Sequence, residues 1–204
     1  MYSPPYNQVE DRAELLEFMR ANNFPILVTA AGGSIAASHL PCLTHEREGG
    51  FVIDMHMAKN NPQWKEFFED EVLVIFHGPH AYVSPRWYED KRRVPTWNYA
   101  AVHAYGVPRI ISDRETKEAS QRRLVAEMDP QWLPQHDALD RKYVEQMLDG
   151  IVNFEIRVTR LETRWKLSQN RSRREMELIA AELDKGDAME RALAALHRKH
   201  FVEK

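Results

Sequence analysis

The sequence predicts an α+β chain that is mainly β, with an antiparallel sheet at its centre and helices at its margins. Three observations carry this. Short segments rich in Val, Ile and Phe are separated by Gly-Gly turns at Gly32-Gly33 and Gly49-Gly50. The run VPTWNYAAVHAYGVPRIIS (94–112) is long enough for one bent strand, with Gly106 and Pro108 marking a bulge or corner. No Gly-x-Gly-x-x-Gly follows a strand, so a parallel dinucleotide-binding sheet has no support.

Composition narrows the class. With 204 residues the chain is one generous domain, or one domain with a small appendage. A formal charge of −3 gives no global reason to expect nucleic acid or an anionic membrane. The single cysteine, Cys42, excludes an intrachain disulfide framework and fits a reducing cytosol, so a cytoplasmic location is expected. The first residues, MYSPPYNQVEDRAEL, lack a basic region followed by an apolar run, so no signal peptide is read. No uncharged apolar stretch approaches the length of a membrane span.

Along the chain, YSPPYN (2–7) reads as an extended lead-in. Asp11 opens a helix to Asn22 or Asn23, with Leu15, Leu16, Phe18 and Met19 on one apolar face. FPILVTAA (24–31), SIAASHLPCLT (34–44) and FVIDMHM (51–57) then read as three strands of an antiparallel meander. Asn61 before Pro62 is a helix start. VLVIFHG (72–78) reads as a buried strand, AYVS (81–84) as another, and Pro85 to Tyr88 as a turn. Lys91-Arg92-Arg93 reads as an exposed loop.

Ser112 to Glu115 fits a capping box opening a helix to Met128, with Ala119, Leu124 and Val125 inward. A second helix spans about 139–149 and is closed by Gly150. IVNFEIRVTRLETRWKLSQ (151–169) is the last strand, and two helices broken at Lys185-Gly186 follow. Domain boundaries are expected at 1–170 for the strand-rich body and 171–204 for a helical extension. From Arg157 onward, 12 Lys and Arg stand against 8 Asp and Glu, interleaved as on a solvated helical face.

The stretch from Gly78 to Gly106 packs Trp, Tyr, Asn, Ser and Thr between prolines that fix the backbone. Aromatic faces beside amide and hydroxyl groups suit a flat, polar-edged ligand, or else plug the end of a barrel. His77 and His80 bracket Gly-Pro, and His197 and His200 lack a nearby carboxylate, so no metal site is read. No nucleophile elbow appears, Cys42 has no evident activating base, and no catalytic residue is singled out. The better signal is phosphate capture at His56-Met57-Ala58-Lys59-Asn60-Asn61-Pro62, where a strand end meets a helix start beside a lysine.

The motifs HLP (39–41), HMAKNNPQW (56–64), GPHAYVSPRWY (78–88), VPTWNYAAVHAYG (94–106) and KLSQNR (166–171) occur in this order, and with them the chain resembles the PaiB-like proteins, FMN-binding negative transcriptional regulators. The resemblance runs to about Arg174. It implies an FMN-binding split β-barrel of the flavin-reductase and pyridoxamine-phosphate-oxidase type, with peripheral helices and the C-terminal helical extension. It also implies a homodimer that holds FMN at the subunit interface. By this resemblance Lys59 and Asn60 meet the FMN phosphate, and Ala58 beside them belongs to the cofactor-binding set. His39, Leu40, Pro41, His56 and Met57 line the ribityl chain and ring. Trp97, Asn98 and Tyr99 come from the long ribbon, and Lys166, Ser168, Gln169 and Arg171 from the end of the last strand.

Plainer roles compete for some of these. Leu40 and Pro41 also read as core, Trp97 as a dimer-interface plug, and Arg171 as a partner of Glu175 at i,i+4. A barrel of five or six strands leaves edges that a second copy would cover. No helix-turn-helix signature accompanies the regulator resemblance, so direct DNA contact has no sequence support. The expected function is an FMN-binding regulator or flavin sensor. The alternatives are a flavin-dependent oxidoreductase acting on a small molecule, or a haem-binding or haem-degrading barrel.

Overall fold

A computed structural model describes residues 1–67, 70–90 and 92–201. Among these residues seven strands form one sheet: β1 (Ile26–Ala31), β2 (Ser34–His39), β3 (Cys42–Arg47), β4 (Gly50–Ala58), β5 (Val72–Val83), β6 (Thr96–Ile111) and β7 (Ile151–Lys166). Six helices accompany them: α1 (Arg12–Ala21), α2 (Arg114–Met128), α3 (Leu133–Asp137), α4 (Arg141–Asp149), α5 (Arg173–Leu183) and α6 (Ala188–Lys199). Strand order is β2-β1-β5-β6-β7-β4-β3. The strand count is seven rather than five or six.

The order also corrects the expected meander. SIAASHLPCLT is two strands, because Pro41 has no N–H to give a ladder. Around it the chain bonds sideways, Leu40 N–H to Pro25 O at 3.2 Å and Cys42 N–H to Asn23 O at 2.9 Å. β2 therefore ends one edge of the sheet and β3 the other. β1 and β2 form a hairpin through Gly32-Gly33, both with positive φ, and β3 and β4 a second one. β4 then pairs antiparallel with β7, from Val52 opposite Arg157 to Ala58 opposite Ile151. β5 runs unbroken through Gly78-Pro79. Pro79 is tolerated because β1 pairs only with Leu73–Ile75 of that strand.

The chain falls into two compact units. The first comprises Met1–Leu15, His77–His103 and Glu162–Lys204. Its core is Val83, Ala100, Val102, Trp165, Leu167, Met176, Ile179, Leu183 and Leu193, all buried. The C-terminal helices are held within it. Ser172 caps α5, Asp187 caps α6 in a full capping box, and Glu175 accepts Arg93 Nη2 at 3.2 Å. The lead-in is extended except for a 3-10 turn at Pro5–Asn7, and Val9 exchanges two hydrogen bonds with the Thr163 hydroxyl, at 2.9 and 3.0 Å.

The second unit comprises Leu16–Phe76 and Ala104–Leu161. Leu27, Val52, Ile53, Met55, Val74, Phe76, Phe154 and Ile156 form its core. Gly106 lies against β7 so closely that a Cβ there would sit 2.2 Å from Arg157 O, which is why β6 needs glycine at this position. α2 is capped one residue later than predicted, by Asp113, whose carboxylate accepts Thr116 N–H at 2.7 Å. Its inward face also differs. Ser120 is buried, Ala119 is exposed, and Leu124 and Val125 are half-buried. Lys117 and Arg123, one turn either side of Ser120, reach polar groups of this unit, and that fixes the helix rotation.

Candidate cofactor site

The Lys59 corner belongs to the second unit. β4 ends at Ala58, and the backbone of Lys59 is pinned on both sides. Its N–H donates to Gly150 O at 2.8 Å, and its carbonyl accepts Trp64 Nε1–H at 2.9 Å. Asn61 spends its side chain locally, accepting Gln63 N–H at 3.0 Å and donating to Ser38 Oγ at 3.0 Å. The Asn61 N–H donates to Ala58 O at 2.9 Å. Pro62–Glu66 is a 3-10 turn of five residues, not an α-helix. It therefore supplies no long helix dipole, and its first amide, Gln63 N–H, is capped by Asn61. What remains for an anion is the Lys59 ammonium, exposed and without a carboxylate partner among the described residues, and the exposed Asn60 beside it.

A second cation sits at this corner. Lys117 Nζ donates to Leu148 O and, at 2.9 Å, to Ile151 O, on either side of the Gly150 that receives Lys59. Burial lowers the Lys117 pKa, Asp149 opposes that, and Lys59 and Arg114 add to it. No sequence signal marks Lys117, since its carbonyl partners are 31 and 34 residues away.

Elsewhere in this unit, His39 ends β2, exposed, with its ring 6.0 Å from that of Phe24. Leu40 is buried, as its core reading requires, Pro41 is only half-buried, and Met57 is buried. Ala58 is exposed, and its carbonyl serves the turn. His56 is half-buried opposite Asn153 in the ladder, and burial lowers its pKa. The Asn153 amide is fully buried, and neither of its polar atoms has a partner among the described residues. A polar group reaching this level would satisfy it.

The other predicted residues lie in the first unit. Trp97 is 49% exposed, stacks on His80 at 5.8 Å and donates Nε1–H to His80 Nδ1 at 3.2 Å. His77 follows, 4.8 Å from His80. Tyr99 is half-buried, with the Arg164 guanidinium 5.5 Å from its ring. Lys166 Nζ donates to Thr96 Oγ1 at 2.5 Å and Trp97 O at 2.7 Å, and burial followed by Arg164 lowers its pKa. Arg171 lies 5.4 Å from the Tyr88 ring; it makes no ion pair with Glu175, whose carboxylate takes Arg93 instead.

Three predicted residues spend their side chains inside this unit. Asn98 is fully buried and donates Nδ2–H to Ser168 Oγ at 2.9 Å and to His197 Nε2 at 3.0 Å. Ser168 is buried in a left-handed conformation, φ 61°. Gln169 closes that turn, accepting Leu167 N–H at 2.8 Å and donating to Trp165 O. Of the basic cluster at 91–93, Arg92 pairs with Asp90 and Arg93 with Glu175, so Arg93 is not an exposed loop residue; Lys91 lies outside the described residues.

This sheet order with its flanking helices is the split barrel of flavin-binding proteins. The FAD and haem binding protein from Mycobacterium smegmatis is 14% identical with a TM-score of 0.61, covering 78% of this chain and 73% of its own. The flavocytochrome Anf3 from Azotobacter vinelandii is 16% identical with a TM-score of 0.55, covering 79% and 74%. At such identities the likeness concerns the fold. The chain belongs to the family described as "Putative FMN-binding domain", whose model matches residues 1–160. It is 39% identical over 174 residues to the protease synthase and sporulation protein PAI 2 of Bacillus subtilis, 84% of each chain.

Proposed function

We propose that this chain is an FMN-binding PaiB-type regulator or flavin sensor that anchors the FMN phosphate at the Lys59 corner. The observation that carries the reading is the contrast at Lys59: a backbone fixed from both sides and an ammonium left without a counter-carboxylate among the described residues. A phosphate monoester supplies that missing charge and accepts the charge-assisted hydrogen bond. Asn60 adds polar donors beside it. When bound, the flavin supplies electron-accepting chemistry, and the protein's part is to hold and orient it.

Of the other resemblance residues, His39 and His56 are proposed for the ribityl and ring side of the same unit, with Leu40, Pro41, Met57 and Ala58 shaping its floor. Trp97, Tyr99, Lys166 and Arg171 are proposed as a ligand- or partner-facing surface of the other unit, with Asn98, Ser168 and Gln169 holding it rigid. We further propose a homodimer. Trp97 and Tyr82, 49% and 45% exposed, are the aromatics that a second copy would cover.

Repression through a partner fits better than direct DNA reading, because Arg173 and Arg174 pair with Glu177 and Glu89. No helix among the described residues is long and apolar enough to cross a membrane. Absorption spectra after incubation with FMN and with haem test the reading. Flavin bands that survive desalting support it, and a Soret band without flavin bands contradicts it. Oxidation of NAD(P)H by the flavin-loaded protein, absent for a sensor, would reassign it as an oxidoreductase.

A further inference from the structure

A cavity of about 440 Å³ opens in the second unit between the end of α1, β3 and α2. None of its lining residues belongs to the flavin set. Arg20 closes α1, His45 and Leu43 project from β3, and Arg123, Ala126 and Glu127 lie on the last turns of α2. Its volume is in the range of small-molecule sites, which run from about 300 to 1,000 Å³.

The charges in it are unequally spent. Arg123 Nη2 donates to the buried Asp54 carboxylate at 3.2 Å, and His45 Nδ1 lies 4.0 Å from the same oxygen. Arg20 is oriented but not neutralised. Its Nε–H donates to Thr44 O at 2.9 Å, and its terminal nitrogens have no partner among the described residues. Glu127, on the other wall, likewise has no hydrogen bond or ion pair among them. A simple anion would meet Arg20 and face Glu127, and a simple cation would meet the reverse. Only a molecule carrying both signs satisfies both walls, and Leu43 and Ala126 leave an apolar floor for its body. Cys42 takes no part as a nucleophile, since burial, with a smaller contribution from Asp54, pushes its thiol up to about 12.

We propose that this cavity binds a small zwitterion of the amino-acid type, with its carboxylate on Arg20 and its ammonium on Glu127. The site is independent of the flavin corner, so either can fail without the other. The test is calorimetric titration of the full-length protein with each common free L-amino acid. At least one is expected to saturate at millimolar concentration or below, while its N-acetyl derivative and its decarboxylated amine do not. Arg20→Gln and Glu127→Gln should each weaken it about tenfold or more, the loss of one charge-assisted bond. Glu127→Gln removes no contact within the protein, so it decides the matter even if Arg20→Gln fails to fold. Failure of every amino acid to saturate, inorganic phosphate binding in their place, or a hit unchanged in Glu127→Gln would overturn the proposal.

Discussion

The Lys59 amide donates to the Gly150 carbonyl at 2.8 Å, joining the end of β4 to the start of β7. With Trp64 Nε1 on the Lys59 carbonyl, the residue's backbone has little freedom, yet its side chain extends outward. A cation presented this way is preorganised for an anion.

Lys59→Ala should therefore weaken FMN about 10- to 150-fold, the equivalent of one charge-assisted bond of roughly 1.5–3 kcal/mol. Riboflavin, which lacks the phosphate, should be nearly indifferent. The fold should persist, because both backbone bonds survive the substitution. Flavin-fluorescence titrations of both ligands into both proteins make the comparison; equal losses would mean that Lys59 shapes the pocket without gripping phosphate.

Gly106→Ala should destabilise strongly. The new Cβ would meet Arg157 O at 2.2 Å and Ile156 Cγ2 at 2.8 Å, so strand backbone must move. A cost of roughly 1–3 kcal/mol or more is expected for such overpacking. Gly50→Ala is the control, since its nearest neighbour is Arg47 O at 3.8 Å. Equal urea midpoints for the two variants would refute the close approach.

His197 should make stability depend on pH. Burial, followed by Arg198 and His200, lowers its pKa to about 4 from 6.5. Nε2 accepts from Asn98, so the proton of the neutral ring sits on Nδ1, which has no partner among the described residues. The folded pKa is depressed, so the unfolded chain binds the proton more readily. The stabilisation is complete above 6.5 and is lost as pH falls toward 4, on the order of 3 kcal/mol in all. Urea unfolding at several pH values, for wild type and His197→Gln, checks it. The variant should lose distinctly less stability than wild type between neutral pH and pH 4.5, and parallel curves would contradict the assignment.

Trp97→Glu should shift the proposed dimer toward monomer by burying a charge where an aromatic is expected to pack. Sedimentation velocity at micromolar concentration reads this out. A wild-type protein that sediments only as monomer would remove the dimer.

Local pattern made most elements legible. The Gly-Gly hairpin, the Asn61 cap, the Lys185-Gly186 break and most strand positions follow from neighbours in sequence, but the split of 34–44 at Pro41 and the continuity of β5 through Gly78-Pro79 do not. Strand order did not, because the choice between β5 and β7 as the partner of β4 is set by contacts about a hundred residues apart. The motifs marked Lys59 and Trp97 but could not separate exposed side chains from those spent internally. Asn98 and Ser168 sit in the same motifs, yet His197, 99 residues from Asn98, draws Asn98 into the interior. Lys117 was invisible for the same reason.

The most direct test of FMN binding is titration of FMN into flavin-free protein, followed by quenching of flavin fluorescence. Saturation near one FMN per chain with micromolar or tighter affinity is expected, with markedly weaker binding of riboflavin. Unquenched FMN fluorescence at protein concentrations well above the micromolar range would contradict it.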